Sequence, residues 1–73
     1  MSTLRATAYE IKQAIIDFVL KTGNVTPSEI YVPITNSFPL NNHYEIRYIV
    51  KELQKEKTLV PDIIYGGLRV SQN

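Results

Sequence analysis

The sequence predicts a small α+β domain in which three helices are followed by a C-terminal β-hairpin. Three observations support this: two capping-box motifs near the N-terminus, an apolar stripe at helical spacing in the middle, and two short β-prone runs around a glycine pair near the end. A chain of 73 residues suffices for one domain. We therefore expect a single domain over 1–73, with an N-terminal arm at 1–6 and a tail at 71–73.

The first helix is predicted from a capping box at its start and a glycine at its end. Thr7 can accept a hydrogen bond from the N–H of Glu10, and the Glu10 carboxylate can reach back to the N–H of Thr7. Gly23 suits the position just after a helix because it tolerates a left-handed backbone. The apolar residues between these signals share one helical face, and they are Ile11, Ala14, Ile15, Phe18 and Val19.

The second helix is predicted to begin at a second capping box. Thr26 and Glu29 form this box, and Pro27 occupies the first helical position, where its missing N–H has no cost. Ile30 is then placed to anchor the helix in the core. The start of this helix is therefore as well marked as the start of the first.

A proline predicts that the second helix ends early. Pro33 disfavours helical geometry at Val32 and lacks a backbone donor, so we expect a short helix. The residues from 35 to 40 have the composition of a connection. Within it, Phe38 and Leu40 are expected to plug into the core.

The third helix has the clearest pattern of the chain. Asn42 and Glu45 form an asparagine version of the capping box, and the helix is expected to run to about Lys57. Apolar residues recur at i, i+3, i+4 and i+7, which predicts one core-facing stripe. That stripe consists of Ile46, Ile49, Val50 and Leu53.

The hairpin is predicted from two β-prone runs, 58–60 and 68–70. Two versions are compatible with the residues between them. In one, a two-residue turn at Gly66-Gly67 places 63–65 in the first strand; in the other, a wider loop over 61–67 joins only the outer strands. We expect a mixture of the two, with pairing that extends from the base.

Composition and spacing argue against an enzyme and against a metal or cofactor site. The chain has no cysteine and one histidine, which rules out disulfides and disfavours a protein-built zinc site. No nucleophile lies at a helpful spacing from a base, and Gly66-Gly67 is not a phosphate-binding loop. We also see neither the apolar stretch of a signal peptide nor a membrane-spanning run, and expect a cytoplasmic protein with no membrane association.

Charge distribution, rather than net charge, suggests a binding surface. The formal net charge is only +1, with a pI near 8.0. On the third helix, however, Arg47, Lys51 and Lys55 follow one another at i, i+4 and i+8, opposite the apolar stripe. Tyr44 and Tyr48 lie beside this row, and their hydroxyls and rings can contact phosphates, sugars or bases. An ordinary solvated helix face has the same composition, so both interpretations stay open.

The same helix carries three acidic residues on the flank of the basic row, which lower its positive field. These are Glu45, Glu52 and Glu56. An acid can accept a hydrogen bond from cytosine, but a protein-contacting helix would also carry such residues. For Glu45 we favour the capping role over a role in recognition.

The order of elements resembles that of a winged helix-turn-helix DNA-binding domain. The resemblance depends most on residues 46–53, which look like the end of a recognition helix, followed by Leu59-Val60 as the first wing strand. Asn24-Val25-Thr26 is similar to the short strand that precedes the second helix in that family. Two features differ from the family pattern: 32–41 is longer than a tight turn, and Lys57 stands where glycine is often found.

The resemblance implies where DNA contacts would lie. Asn41, Asn42 and His43 occupy the N-terminal end of the third helix, the part that enters the major groove in this family. Asparagine can pair with adenine, although we favour Asn42 as the N-cap, and Asn41 can be a loop residue and His43 a surface residue. In the wing, Arg69 is expected to point away from the core, towards the minor groove or a phosphate.

The sequence therefore predicts a small DNA-binding protein, a transcriptional regulator, with duplex DNA as its partner. The alternative is a winged-helix protein-interaction module without DNA binding, in which exposed apolar residues between Tyr31 and Leu40 form the contact. A homodimer through the first helix or that connection is compatible with either. The candidate DNA-contacting residues are Asn41, Asn42, Tyr44, Arg47, Tyr48, Lys51, Lys55 and Arg69.

Overall fold

A computed structural model describes residues 5–71, which form three helices and a C-terminal antiparallel hairpin. The predicted α+β class and the predicted order of elements are confirmed. Part of the predicted arm, 1–4, and part of the tail, 72–73, lie outside the described residues. The elements are α1 (Ala8–Thr22), α2 (Pro27–Ser37), α3 (His43–Lys55), β1 (Leu59–Pro61) and β2 (Leu68–Val70).

Helix α1 begins and ends at the predicted signals. The Thr7 hydroxyl accepts from the N–H of Glu10 at 3.2 Å, and the Glu10 carboxylate accepts from the N–H of Thr7 at 2.8 Å. Gly23 ends the helix with a φ of 96° and donates its N–H to the carbonyl of Val19. The predicted apolar face is the buried one: Ile11, Ile15 and Val19 are buried, and Ala14 and Phe18 pack against them.

Helix α2 starts at the predicted capping box but is longer than expected. It continues through Pro33 to Ser37, so the prediction of a short helix is wrong. Pro33 has no N–H for the carbonyl of Glu29, but Glu29 is exposed and water can satisfy that carbonyl. Continuing the helix buries Ile34, which is only 4% exposed, and burial of an isoleucine offsets part of the proline's cost.

The connection between α2 and α3 is consequently short, spanning only 38–42. Phe38 packs partly against the core as predicted, whereas Leu40 is 52% exposed, so its predicted core position is wrong. The physical reason is a turn closed by a hydrogen bond from the N–H of Asn41 to the carbonyl of Phe38. The residues at the corner of such a turn, Pro39 and Leu40, face outwards.

Helix α3 ends slightly earlier than expected, in a Schellman motif centred on a lysine. Lys57 has a φ of 66°, in the left-handed region that glycine usually occupies. The N–H of Thr58 donates to the carbonyl of Leu53, and the N–H of Lys57 donates to that of Gln54, which are the two bonds of the motif. Lys57 therefore adopts the backbone conformation that glycine usually takes at the end of a helix.

The hairpin takes the wider of the two predicted forms. Strands β1 and β2 pair in the register Leu59↔Val70, Val60↔Arg69 and Pro61↔Leu68. The loop between them covers 62–67, so 63–65 are not part of a strand. The expected mixture of forms is not observed.

An isolated β-bridge lies beside the hairpin, in the segment where the resemblance predicts a short strand before α2. Val25 pairs with Leu68, donating its N–H at 3.2 Å and accepting in return at 2.7 Å. A Cβ atom on Gly67 would lie 3.0 Å from the carbonyl oxygen of Val25, and Gly67 also has a φ of 70°. Glycine is required there by the close approach as well as by the turn.

One core lies between the three helices and the inner face of the hairpin. The apolar residues predicted for the inner helix faces are buried, namely Ile11, Ile15, Val19, Ile30, Ile46, Ile49, Val50 and Leu53. The core also contains Val25, Ile34, Leu59 and Leu68, and Phe18 and Val70 pack at its border. No helix within residues 5–71 combines the length and the apolar character that a membrane crossing needs.

Candidate nucleic-acid interface

Five side chains of α3 form one exposed surface on the side opposite the core, which we name the basic face. Successive residues turn by about 100° around a helix, so this surface and the buried stripe cannot overlap. Tyr44 is 67% exposed and Tyr48 is 64% exposed. The basic face consists of Tyr44, Arg47, Tyr48, Lys51 and Lys55, all of them exposed as the sequence predicts.

Two of the three acidic residues of α3 are directed away from the basic face, towards α1 and the arm. Glu45 forms an ion pair with Arg5, and Glu56 pairs with Lys12 at 3.0 Å. The three cations of the basic face form no ion pair with any residue between 5 and 71. The acids therefore weaken the positive field of this face less than the composition of the helix suggests, because two of them are already neutralised by neighbours.

Glu45 is engaged mainly by the arm rather than by the helix cap. Its carboxylate accepts hydrogen bonds from Arg5 and from the amide of Asn41, the latter at 3.1 Å. These two bonds are the main reasons that the pKa of Glu45 lies below its usual range, and the N–H of Asn42 contributes least. The predicted capping box is therefore not formed, because the Asn42 oxygen accepts from the N–H of Tyr44 rather than from that of Glu45, and the Glu45 carboxylate is held by Arg5 and Asn41.

Asn41 has a structural role, which leaves little of its side chain accessible for the predicted contact with DNA. It is only 5% exposed. Its amide nitrogen donates to the carbonyl of Ala6 at 3.0 Å and to Glu45, and its oxygen accepts from the N–H of Ala6 at 2.9 Å. Both of its amide protons are used inside the protein, so none is left for a base.

Asn42 and His43 lie at the exposed N-terminal end of α3. The Asn42 oxygen accepts from the N–H of Tyr44 at 2.8 Å, which makes it the N-cap, as one of the two interpretations predicted. Its amide nitrogen has no partner between residues 5 and 71, so that group stays a candidate donor. The ring of His43 lies 4.2 Å from the ring of Tyr44, centroid to centroid.

In the wing, Arg69 points away from the core as predicted but is held near an acid. Its Nε atom lies 3.8 Å from Oδ2 of Asp62, at the base of the loop. Arg69 remains exposed and is a candidate contact, although the carboxylate offsets part of its charge.

Asp62 organises the wing loop, a role that the sequence analysis missed. Its Oδ1 atom accepts from the N–H groups of Ile64 and Tyr65 at 2.9 and 3.0 Å, and its Oδ2 atom accepts from the amide of Asn24 at 2.9 Å. These three bonds hold the pKa of Asp62 below its usual range, and the bond from the N–H of Tyr65 has the largest effect. An aspartate at the start of a loop is a known signal for such a turn and could have indicated this role.

The tip of the wing is apolar and exposed. Ile63, Ile64 and Tyr65 are 94%, 80% and 82% exposed, higher than any other large apolar side chain among residues 5–71. The sequence predicts exposed apolar surface between Tyr31 and Leu40 instead, and in that segment Val32 and Leu40 are exposed but Ile34 is buried. The wing tip, which we define as these three residues, is therefore the main apolar surface feature.

Comparisons of the chain with protein-family models, curated proteins and solved structures found no match. Its class is accordingly defined by the fold and by its surfaces. It is a three-helix α+β domain with a C-terminal hairpin, an exposed basic face on α3 and an apolar wing tip.

Proposed function

We propose that this chain is a winged helix-turn-helix protein that binds duplex DNA through the basic face and the wing, as a transcriptional regulator in the cytoplasm. The observation that carries the proposal is the basic face itself, in which two tyrosines and three cations that form no ion pair within residues 5–71 share the solvent side of α3. The element order and the Val25 bridge agree with the family resemblance. The proposed activity is binding, with no catalytic step.

The dimensions of α3 suit the major groove. An α-helix with its side chains is about 10–12 Å across, and the groove of B-DNA is about 12 Å wide. The cations of the basic face lie one turn apart, so they can follow the phosphates that border the groove while the tyrosines reach sugars or base edges. Because Glu45 pairs with Arg5 and Glu56 with Lys12, these two carboxylates would lie on the side of the helix away from the duplex.

A titration of the protein with a labelled duplex at about 50 and about 200 mM salt tests this proposal. Binding that releases counterions must weaken as salt rises, so we expect the affinity to fall steeply between the two conditions. Lys51→Ala should lower the slope of log affinity against log salt by about 0.9, the contribution of one phosphate contact. Lys21→Ala, at an exposed position near the end of α1, is the matched control and should leave the slope unchanged.

Charge reversal makes the test sharper. Arg47→Glu combined with Lys51→Glu should abolish binding and lower the melting temperature only slightly, because both side chains are exposed and the stability lost is that of the contact between Arg47 and the ring of Tyr31. Lys51→Glu and Lys21→Glu change the net charge of the protein equally. A difference between the affinities of these two variants for duplex therefore reports the position of the charge rather than the total charge. Retained affinity in the folded double variant would contradict the proposal.

The wing tip supports a second candidate function, a protein-interaction module or homodimer without DNA binding. Exposed apolar residues in a cluster commonly mark protein contacts. This candidate predicts no binding of duplex even at low salt, and it predicts self-association or partner binding that Ile63→Ser with Ile64→Ser removes. Sedimentation of the parent and of this variant distinguishes a homodimer from a monomer.

A further inference from the structure

A contact between α2 and α3 distinguishes Arg47 from the other cations of the basic face. The guanidinium carbon of Arg47 lies over the ring of Tyr31, 5.1 Å from its centroid. Tyr31 is half-buried on α2 and packs against the core, so its ring is held in place. Lys51 and Lys55 are exposed and have no aromatic contact of this kind among residues 5–71.

This contact restrains the guanidinium while leaving its donors free. A cation over an aromatic face is attracted to the π system, and this attraction does not use the N–H groups. Arg47 also donates no side-chain hydrogen bond to any residue between 5 and 71. Its planar fork is thus restrained in position but open to a ligand. It borders a groove of about 240 Å³ between the two helices, lined by Tyr31, Val32, Thr35, Asn36, His43 and Arg47.

We infer that Arg47 is the residue that selects DNA sequence and that Tyr31 positions it; this inference rests on the proposed function. The ligand that fits a restrained, open guanidinium in the major groove is guanine, whose O6 and N7 atoms accept two parallel N–H bonds. Restraint by Tyr31 reduces the freedom that Arg47 loses on binding. Lys51 and Lys55 are flexible point charges, which suits them to phosphates rather than to a base.

The test uses a pool of short duplexes with a randomised centre, from which the parent protein selects its preferred sequence. Affinity is then measured for that duplex and for versions with each guanine changed to adenine. For the parent, one guanine should be preferred by about 5- to 150-fold, the range of a good two-bond contact. Arg47→Ala should remove the preference at that position only. Lys51→Ala should weaken binding to all duplexes alike and leave the preference intact.

Two variants of Tyr31 separate positioning from general stability. Tyr31→Phe keeps the aromatic face and should keep the guanine preference. Tyr31→Leu removes the face and should reduce the preference by about 2- to 5-fold, with the salt slope unchanged because no charge is lost. Melting curves for both variants confirm that the comparison is made on folded protein.

Three results would overturn the inference, and they can be told apart. If Tyr31→Leu lowers the melting temperature but not the guanine preference, the contact with Arg47 is structural only. If the parent binds duplex in a salt-sensitive way but its preference does not depend on Arg47, the inference fails and the proposed function stands. If the parent binds no duplex at about 50 mM salt, both fail together.

Discussion

The side chain of Asn41 holds the backbone of Ala6 at two points, donating to its carbonyl at 3.0 Å and accepting from its N–H at 2.9 Å. The two residues are 35 positions apart, and Asn41 is buried. The pair therefore ties the residue that leads into α1 to the loop that leads into α3. The position of the basic face relative to the rest of the domain depends partly on this contact.

Replacing Asn41 should cost substantial stability. Asn41→Ala leaves the N–H and the carbonyl of Ala6 without their partner, and we expect the free energy of unfolding to fall by about 1–3 kcal/mol. Asn42→Ala, which removes the exposed N-cap next to it, should cost about 1 kcal/mol. Urea denaturation of both variants measures these two losses of unfolding free energy. A smaller loss for Asn41→Ala than for Asn42→Ala would contradict the structural role of Asn41.

The core-facing stripe of α3 can be tested at Leu53, which is 1% exposed. Leu53→Ala should lower the free energy of unfolding by about 2–5 kcal/mol, because it removes buried methyl groups and leaves a cavity. For a domain of this size that is a large part of the total stability. Leu20→Ala, at a site 56% exposed on α1, is the matched control and should cost much less. A parent-like melting temperature for Leu53→Ala would show that the assignment of this helix face is wrong.

The wing loop should weaken in acid because of Asp62. Its folded pKa lies below the ordinary value of 3.8, since the N–H of Tyr65, the amide of Asn24 and the N–H of Ile64 stabilise the carboxylate. The stability that this carboxylate contributes is fully present at pH values above its pKa in the unfolded chain. It is lost as the pH falls through its pKa in the folded protein.

We therefore expect Asp62→Asn to be less stable than the parent near neutral pH, with a difference that shrinks below about pH 4. Urea denaturation of both proteins across this range measures the difference, and Asp17→Asn on the exposed side of α1 controls for the loss of one charge. A difference that does not change with pH would mean that the Asp62 carboxylate is not what holds the loop.

The left-handed conformation of Lys57 predicts an unusual order of stability. At a φ of 66°, glycine is free of the strain that a Cβ introduces, so Lys57→Gly should be more stable than Lys57→Ala by about 1 kcal/mol. At Lys51, inside α3, the order should be the reverse by about 1 kcal/mol, because alanine favours a helix and glycine does not. Thermal denaturation of the four variants checks both orders. Alanine equal to or better than glycine at position 57 would contradict the observed geometry.

Features set by neighbours a few residues apart were predictable. The capping boxes at Thr7 with Glu10 and at Thr26 with Glu29 form as expected, whereas the one predicted at Asn42 with Glu45 does not. The basic face was predictable for the same reason, since its residues are opposite the apolar stripe by helical spacing alone. The end of α2 was not predictable, because the local penalty of Pro33 had to be weighed against burial of Ile34 by distant residues.

The sequence by itself determined the α+β class, the order of the elements, most of the core and the exposed position of the cations on α3, because these depend on periodicity and capping. Only the tertiary structure decided that Asn41 is buried and bonded to Ala6, that Glu45 pairs with Arg5, and that Arg47 lies over Tyr31. It also decided the form of the wing, through the bond between Asn24 and Asp62. Each of these contacts joins residues at least four positions apart in different elements or loops. Whether a side chain finds such a partner depends on how packing of the core brings those segments together.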